Sequence, residues 1–273
     1  MSDPKPQLHV SMLNTMTRCG IQFQRRYGER FGIWHQEEIL LPGVALLIGS
    51  STHVAVEKTL TYKMETGELP PIQEAQEAAR DAVVKATHSE ILLTDEEAQD
   101  VKKTINSMID TTVGLTSVYH AHIAPDIEPI AIEEPFVIEL KDYPIDLAGR
   151  IDCREVGIVR DTKTAARTPK PELAKSLQMA MYSMARKVID GEYPDKVALD
   201  YLVKLKTPKA VTIEALPHDG WIKPLRYRIE RFVEIVDAVK SGKQALTPAN
   251  PDDWACTKKY CGYAATCPFW SGR

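Results

Sequence analysis

"GRIDCREVGIVRDTKTAARTP", residues 149–169, reads as a β-hairpin that carries charges where strands usually keep apolar residues. Short alternating runs flank Val156-Gly157, which reads as the turn. In that register Asp152 lies opposite Asp161. Asp161 and Lys163 share a face, because residues two apart on a strand point the same way. Facing carboxylates repel unless a proton or a cation lies between them. Hard cations such as Mg²⁺ or Mn²⁺ take this kind of oxygen ligation, and a neighbouring lysine can stabilise charge that develops on a reacting oxygen. Taken alone, a motif this short is better read as a solvent-facing strand pair joined by Asp–Lys and Asp–Arg ion pairs. The surrounding chain has to decide.

Outward from the hairpin, "IAIEEPFVIEL" (130–140) alternates on the N-terminal side, and "KVALDYLVKL" and "AVTIEAL" follow on the C-terminal side. A helix from about Pro171 to Asp190 crosses between them, and another spans roughly 221–241. Towards the N-terminus, Ser11 reads as the cap of a helix running to Arg30. The run "LLPGVALLIGSST" reads as apolar and turn-bearing before a helix that ends at Gly67. A third helix covers about 73–88. A fourth starts at a Thr94/Glu97 capping box and continues to His122. Helices, then strands around one crossing helix, then a last helix predict an α/β fold with a mixed sheet and helical flanks.

The 273 residues suffice for one large domain, and the net charge of −4 points to no polyanion. Locally the balance differs, since Arg150–Lys187 holds nine basic residues against four acidic ones. Arg18, Arg25, Arg26 and Arg30 form a second basic group. Either could hold a polyanion or be a solvated face. No signal-peptide plan or membrane-spanning run is visible, which predicts a cytoplasmic protein with reduced thiols and no membrane partner.

Two helical pairs complete the set of candidates. His53 and Glu57 lie four residues apart on one helix face, where the imidazole can ligate a metal and the carboxylate can orient it. Gln178 and Tyr182 repeat that spacing on the crossing helix and suit contacts to a nucleic-acid strand. In isolation each pair is an ordinary helical face.

In chain order the sequence therefore carries Gly49-x-x-x-His53, Gly149-Arg150-Ile151-Asp152, Asp161-x-Lys163 and Gln178-x-x-x-Tyr182. This ordered set resembles the RecB-like branch of the PD-(D/E)XK nuclease superfamily, which includes the AddB nuclease module, cluster-bearing nucleases of CRISPR adaptation and phage exonucleases. The resemblance implies a restriction-endonuclease-like mixed central sheet, with catalysis by Asp152, Asp161 and Lys163. It implies Mg²⁺ or Mn²⁺ on His53, Asp152, Asp161 and the Thr162 carbonyl, with Gln178, Tyr182 and Arg150 positioning DNA. The implied activity is a metal-dependent DNA exonuclease on single strands or strand ends, working in recombination, repair or replication beside a helicase or recombination partner. The absence of a Gly-x-x-x-x-Gly-Lys phosphate loop leaves any motor to that partner.

The tail "WACTKKYCGYAATCPFW" holds Cys256, Cys261 and Cys267, one ligand short of a tetrahedral set, and Cys19 is the best fourth. One N-terminal and three C-terminal cysteines resemble the 4Fe–4S arrangement of cluster-bearing members of that branch. Four thiolates are the usual ligands of such clusters, and structural zinc is the runner-up. The tail spacing is longer than the family's, and Gly20 stands where proline is common. The predicted layout is a single domain over 1–273, with 129–215 as catalytic sheet core and 11–30 plus 250–273 as the cluster-binding part. Closing the chain this way would add stability and could complete a ring through which one strand threads. Cys153, adjacent to Asp152, should point into the apolar layer. The rival reading is a non-catalytic nucleic-acid-binding module with a structural four-cysteine site.

Overall fold

The computed structural model describes residues 4–168, 170, 173–250 and 252–270. Its centre is the expected hairpin, β3 (Asp146–Glu155) and β4 (Ile158–Ala165). Cys153, Arg154 and Glu155 pair with Arg160, Val159 and Ile158, so the turn is Val156-Gly157, with Gly157 at φ +71°. Valine is a poor turn residue; the left-handed glycine makes the connection possible. Beyond Cys153 the ladder stops and the two strands part.

β3 bonds β2 (Ala131–Ile138) along its other edge, antiparallel. On the β4 side it meets the unanticipated two-residue β1 (Gln7–Leu8) at Asp146 and Leu147. Between these two contacts, from Ala148 to Asp152, β3 has no strand partner on that side among the described residues. β5 (Lys196–Val203) runs parallel to β4, and β6 (Lys209–Ala215) is antiparallel to β5. The result is a six-stranded mixed sheet; the sequence predicts its mixed character and five of its strands, but not β1.

Helices cover both faces. On one lie α1 (Val10–Arg18), α2 (Gly20–Tyr27), α7 (Leu177–Asp190) and α8 (Asp219–Lys240), packed with Leu147, Ile151 and Leu199 around Phe23, Phe31 and Phe232. On the other, α3 (Val44–Thr66), α4 (Ile72–Ala86) and α6 (Val101–His122) pack with Cys153 and Leu202. Cys153 thus points into the apolar layer, as expected, and is 3% exposed.

Several boundaries differ from expectation. The helix expected over 11–30 breaks at Cys19, which is extended at φ −154° and caps α2, and His9 rather than Ser11 precedes α1. The fourth helix keeps its Thr94/Glu97 capping box but is split into α5 (Asp95–Gln99) and α6 by Asp100, whose carboxylate accepts the Lys103 amide. "VALLIGSS" is helical, because α3 starts two turns earlier than its Gly and Ser content suggests. α7 begins after Ser176, and its expected start at Pro171 lies outside the described residues.

Part of the local basic excess is taken up by internal pairs. Arg160 is buried between Glu155 and Asp200, Arg154 pairs with Glu134, and Arg186 pairs with Glu134 and Asp190. Arg25 and Arg30 are held by Glu38 and Glu37. Arg150, Arg167, Lys170 and Lys187 remain exposed. No helix among the described residues is long and apolar enough to cross a membrane.

Candidate active site

The site forms where β3 and β4 part. Asp161 is wholly buried, with β5 at its side. Lys163, two residues on, places its ammonium 2.9 Å from Asp161 Oδ1 and 2.7 Å from Oδ2. From α7, Gln178 Nε2 donates to Asp161 Oδ1 and to the Tyr182 hydroxyl oxygen, each at 2.7 Å. Tyr182 donates in turn to the Arg150 carbonyl at 2.6 Å. The Gln178/Tyr182 pair therefore bridges the fork and fixes the buried carboxylate. Ser176 caps α7 through the Met179 amide, which sets the phase of both side chains.

Asp152 lies across the fork and accepts the Thr162 amide at 3.0 Å. Its Oδ2 is 3.2 Å from His53 Nδ1 on α3. Gly49, one turn earlier on α3, faces β4: an added Cβ would stand at ordinary contact distance, 3.4 Å, from Thr164 Oγ1. Burial, then the charge of Asp161, pushes the Asp152 carboxyl up to about 8. Burial lowers the His53 imidazole, against the pull of Asp161, and so favours the neutral, ligating form.

Sequence reasoning missed Glu133. Its backbone is left-handed at φ +50°, the only non-glycine residue with positive φ among those described. β2 keeps its register with β3 on both sides of it while leaving Glu133 itself unpaired beside Asp152. Burial, then Glu57, raises its carboxyl, and Arg150 is 3.4 Å away. Ligand atoms of His53, Glu133 and Asp152 all lie within 4.8 Å of one another. Asp161 stands outside that trio, because Lys163 and Gln178 engage its oxygens. Its Oδ2 nevertheless lacks a well-directed hydrogen bond despite the nearby ammonium. An imidazole, two raised carboxyls and an under-satisfied buried oxygen make a donor set suited to a hard divalent cation.

Cys19, Cys256, Cys261 and Cys267 line one cavity, together with Arg18, Phe269 and Trp270, although their sulfurs form no group of three or more within 4.8 Å of one another among the described residues. All are free thiols. Burial, then the neighbouring sulfurs, raises Cys256. The chain ends are stitched around them: the Gly20 amide bonds the Thr247 carbonyl at 2.8 Å, and the Tyr263 hydroxyl bonds the Glu38 carbonyl at 2.6 Å. Trp254 stacks edge-on with Tyr260 outside the cavity.

A carboxylate–lysine centre beside a candidate cation site, set in the fork of a mixed α/β sheet, suits a hydrolytic nuclease. The chain belongs to the PD-(D/E)XK nuclease superfamily, whose family model matches residues 7–268. Its fold is similar to that of a candidate exonuclease from Eubacterium rectale (13% identity, TM-score 0.53), over 89% of this chain and 84% of that one. A phage-related exonuclease from Haemophilus somnus matches more distantly (11% identity, TM-score 0.30), over 78% of this chain and 99% of that one. No curated protein sequence matches.

Proposed function

We propose that this nuclease is a metal-dependent DNA exonuclease of the RecB-like branch, acting on single strands or strand ends. The observation that carries the reading is the linked array Asp161–Lys163–Gln178–Tyr182 facing His53, Asp152 and Glu133 across an open fork. Mg²⁺ or Mn²⁺ would be held by His53, Asp152 and Asp161, with the Thr162 carbonyl and Glu133 as further oxygens. When bound it supplies a Lewis acid and an acidified water. Gln178 holds Asp161 in place, and Tyr182 holds Gln178. The Lys163 ammonium stabilises negative charge on the phosphoryl oxygens as water attacks in line. Neutral His53 adds a ligand without adding charge.

In this reading residues 129–215 are the catalytic sheet core of one domain, and 11–30 with 250–273 form the cluster-binding part. Four free thiols lining one cavity supply the usual ligand set of a 4Fe–4S cluster, with structural zinc as the alternative. Anaerobic purification decides: iron and sulfide with a broad visible absorbance support the cluster, whereas one colourless zinc per chain replaces it.

The activity test uses end-labelled single-stranded and duplex DNA with Mg²⁺, Mn²⁺ or EDTA. Wild type should release label only with metal, and Lys163→Ala should cut at least about 10²–10³-fold more slowly. If both proteins bind DNA and neither cuts it, the chain is a binding module.

A further inference from the structure

The unpartnered edge of β3 opens into a cleft of about 220 Å³. One wall is Gly149, Arg150 and Gln178; the other is the start of α1, with His9, Ser11 and Asn14. None of the lining side chains is acidic. Ser11 and Asn14 are exposed, and neither side chain has a hydrogen-bond partner among the described residues. Arg150 lines the cleft with a side chain that is 64% exposed and meets Glu133 at 3.4 Å. The cleft shares Gln178 and Tyr182 with the candidate active site, where Gln178 touches Asp161 directly.

We infer that this cleft is a strand subsite, in which Ser11 and Asn14 of α1 hold, together with Arg150, a phosphate next to the scissile one. The inference rests on the nuclease reading and extends it to residues on α1. An unpaired sheet edge and a helix start leave a slot open along its length, which suits an extended single strand. Hydroxyl, amide and guanidinium donors suit phosphate oxygens and read no base, so the grip is independent of sequence. Gly149 forms part of the floor of the slot. The carboxylates stay on the far side of Gln178, where a cation neutralises them.

The test is binding of a fluorescent single-stranded oligonucleotide, by anisotropy across a salt series, with Ca²⁺ replacing Mg²⁺. Cleavage of the same strand is measured separately with Mg²⁺. Asn14→Asp should weaken binding about tenfold at low salt through like-charge repulsion. Asn14→Lys should tighten it and steepen the salt dependence by about 0.7 in slope, one added phosphate contact. A gain in affinity cannot come from a damaged fold. If wild type binds and cuts while both variants behave as wild type, or both merely weaken, the subsite is wrong and the nuclease stands. If wild type neither binds nor cuts, the nuclease reading falls and takes the subsite with it.

Discussion

Asp152 couples the site to pH. Its carboxyl titrates near 3.8 when unfolded and at about 8 when folded, so the metal-free fold takes up a proton between those values. A raised carboxyl contributes stability that is fullest at low pH and is lost as pH climbs towards 8. A cation reverses this by replacing the proton. The rise in Tm on adding Mn²⁺ should therefore grow from pH 6 to pH 8, and a pH-independent increment would contradict it. Glu133→Gln, with one charge fewer in the trio, should raise the metal-free Tm at pH 8 and shrink the increment. The facing of Asp152 and Asp161 could be read from alternation and one turn residue. Glu133 could not, because in "IAIEEPFVIEL" it is one more polar position. Its significance comes from a left-handed backbone beside another strand. The Glu-Glu-Pro run on an edge strand was the available signal, since proline is confined to such edges.

At the level of elements, the motif glycine of the hairpin has a packing reason. A Cβ on Gly149 would stand 2.5 Å from the Phe136 ring on β2. Phe136 is 5% exposed and edge-on to Tyr182 at 6.0 Å between centroids, so it has little room to yield. Gly149→Ala should cost about 1–3 kcal/mol by urea denaturation, and should lower cleavage further through the displaced Tyr182. An unchanged midpoint would show that the ring gives way. Elements were legible where periodicity ran on, as in α4, α8 and the five longer strands. They were misread where one residue interrupts a helical pattern: Cys19 and Asp100 each break a run whose apolar spacing continues across the break. Charge counting failed for Arg160 because burial depends on which strand lies alongside, and β5 brings Asp200 to it.

At the scale of the molecule, the sheet forms the centre, and the Gly20–Thr247 and Tyr263–Glu38 hydrogen bonds tie the N-terminal helices to the tail beside the cysteine cavity. That Cys19 lines the same cavity as the tail cysteines could be foreseen only by counting ligands, because no local pattern links positions so far apart. On the cluster reading, Cys19→Ser should bleach the protein, lower its Tm and leave the far-UV spectrum of the sheet core largely intact. A fully coloured variant of unchanged Tm would remove Cys19 from the ligand set.

The short helix α1 belongs to both ends of this arrangement. Its nine residues span about 13 Å, with Ser11 and Asn14 at the cleft and Cys19 immediately beyond its last turn. If the cysteines hold a metal centre and the cleft holds a strand, as proposed, one short helix connects a residue of each, and Val10, Met12 and Leu13 seat it in the core between them. Loss of the centre would then be felt first as weaker grip on DNA, with the cutting residues still in place.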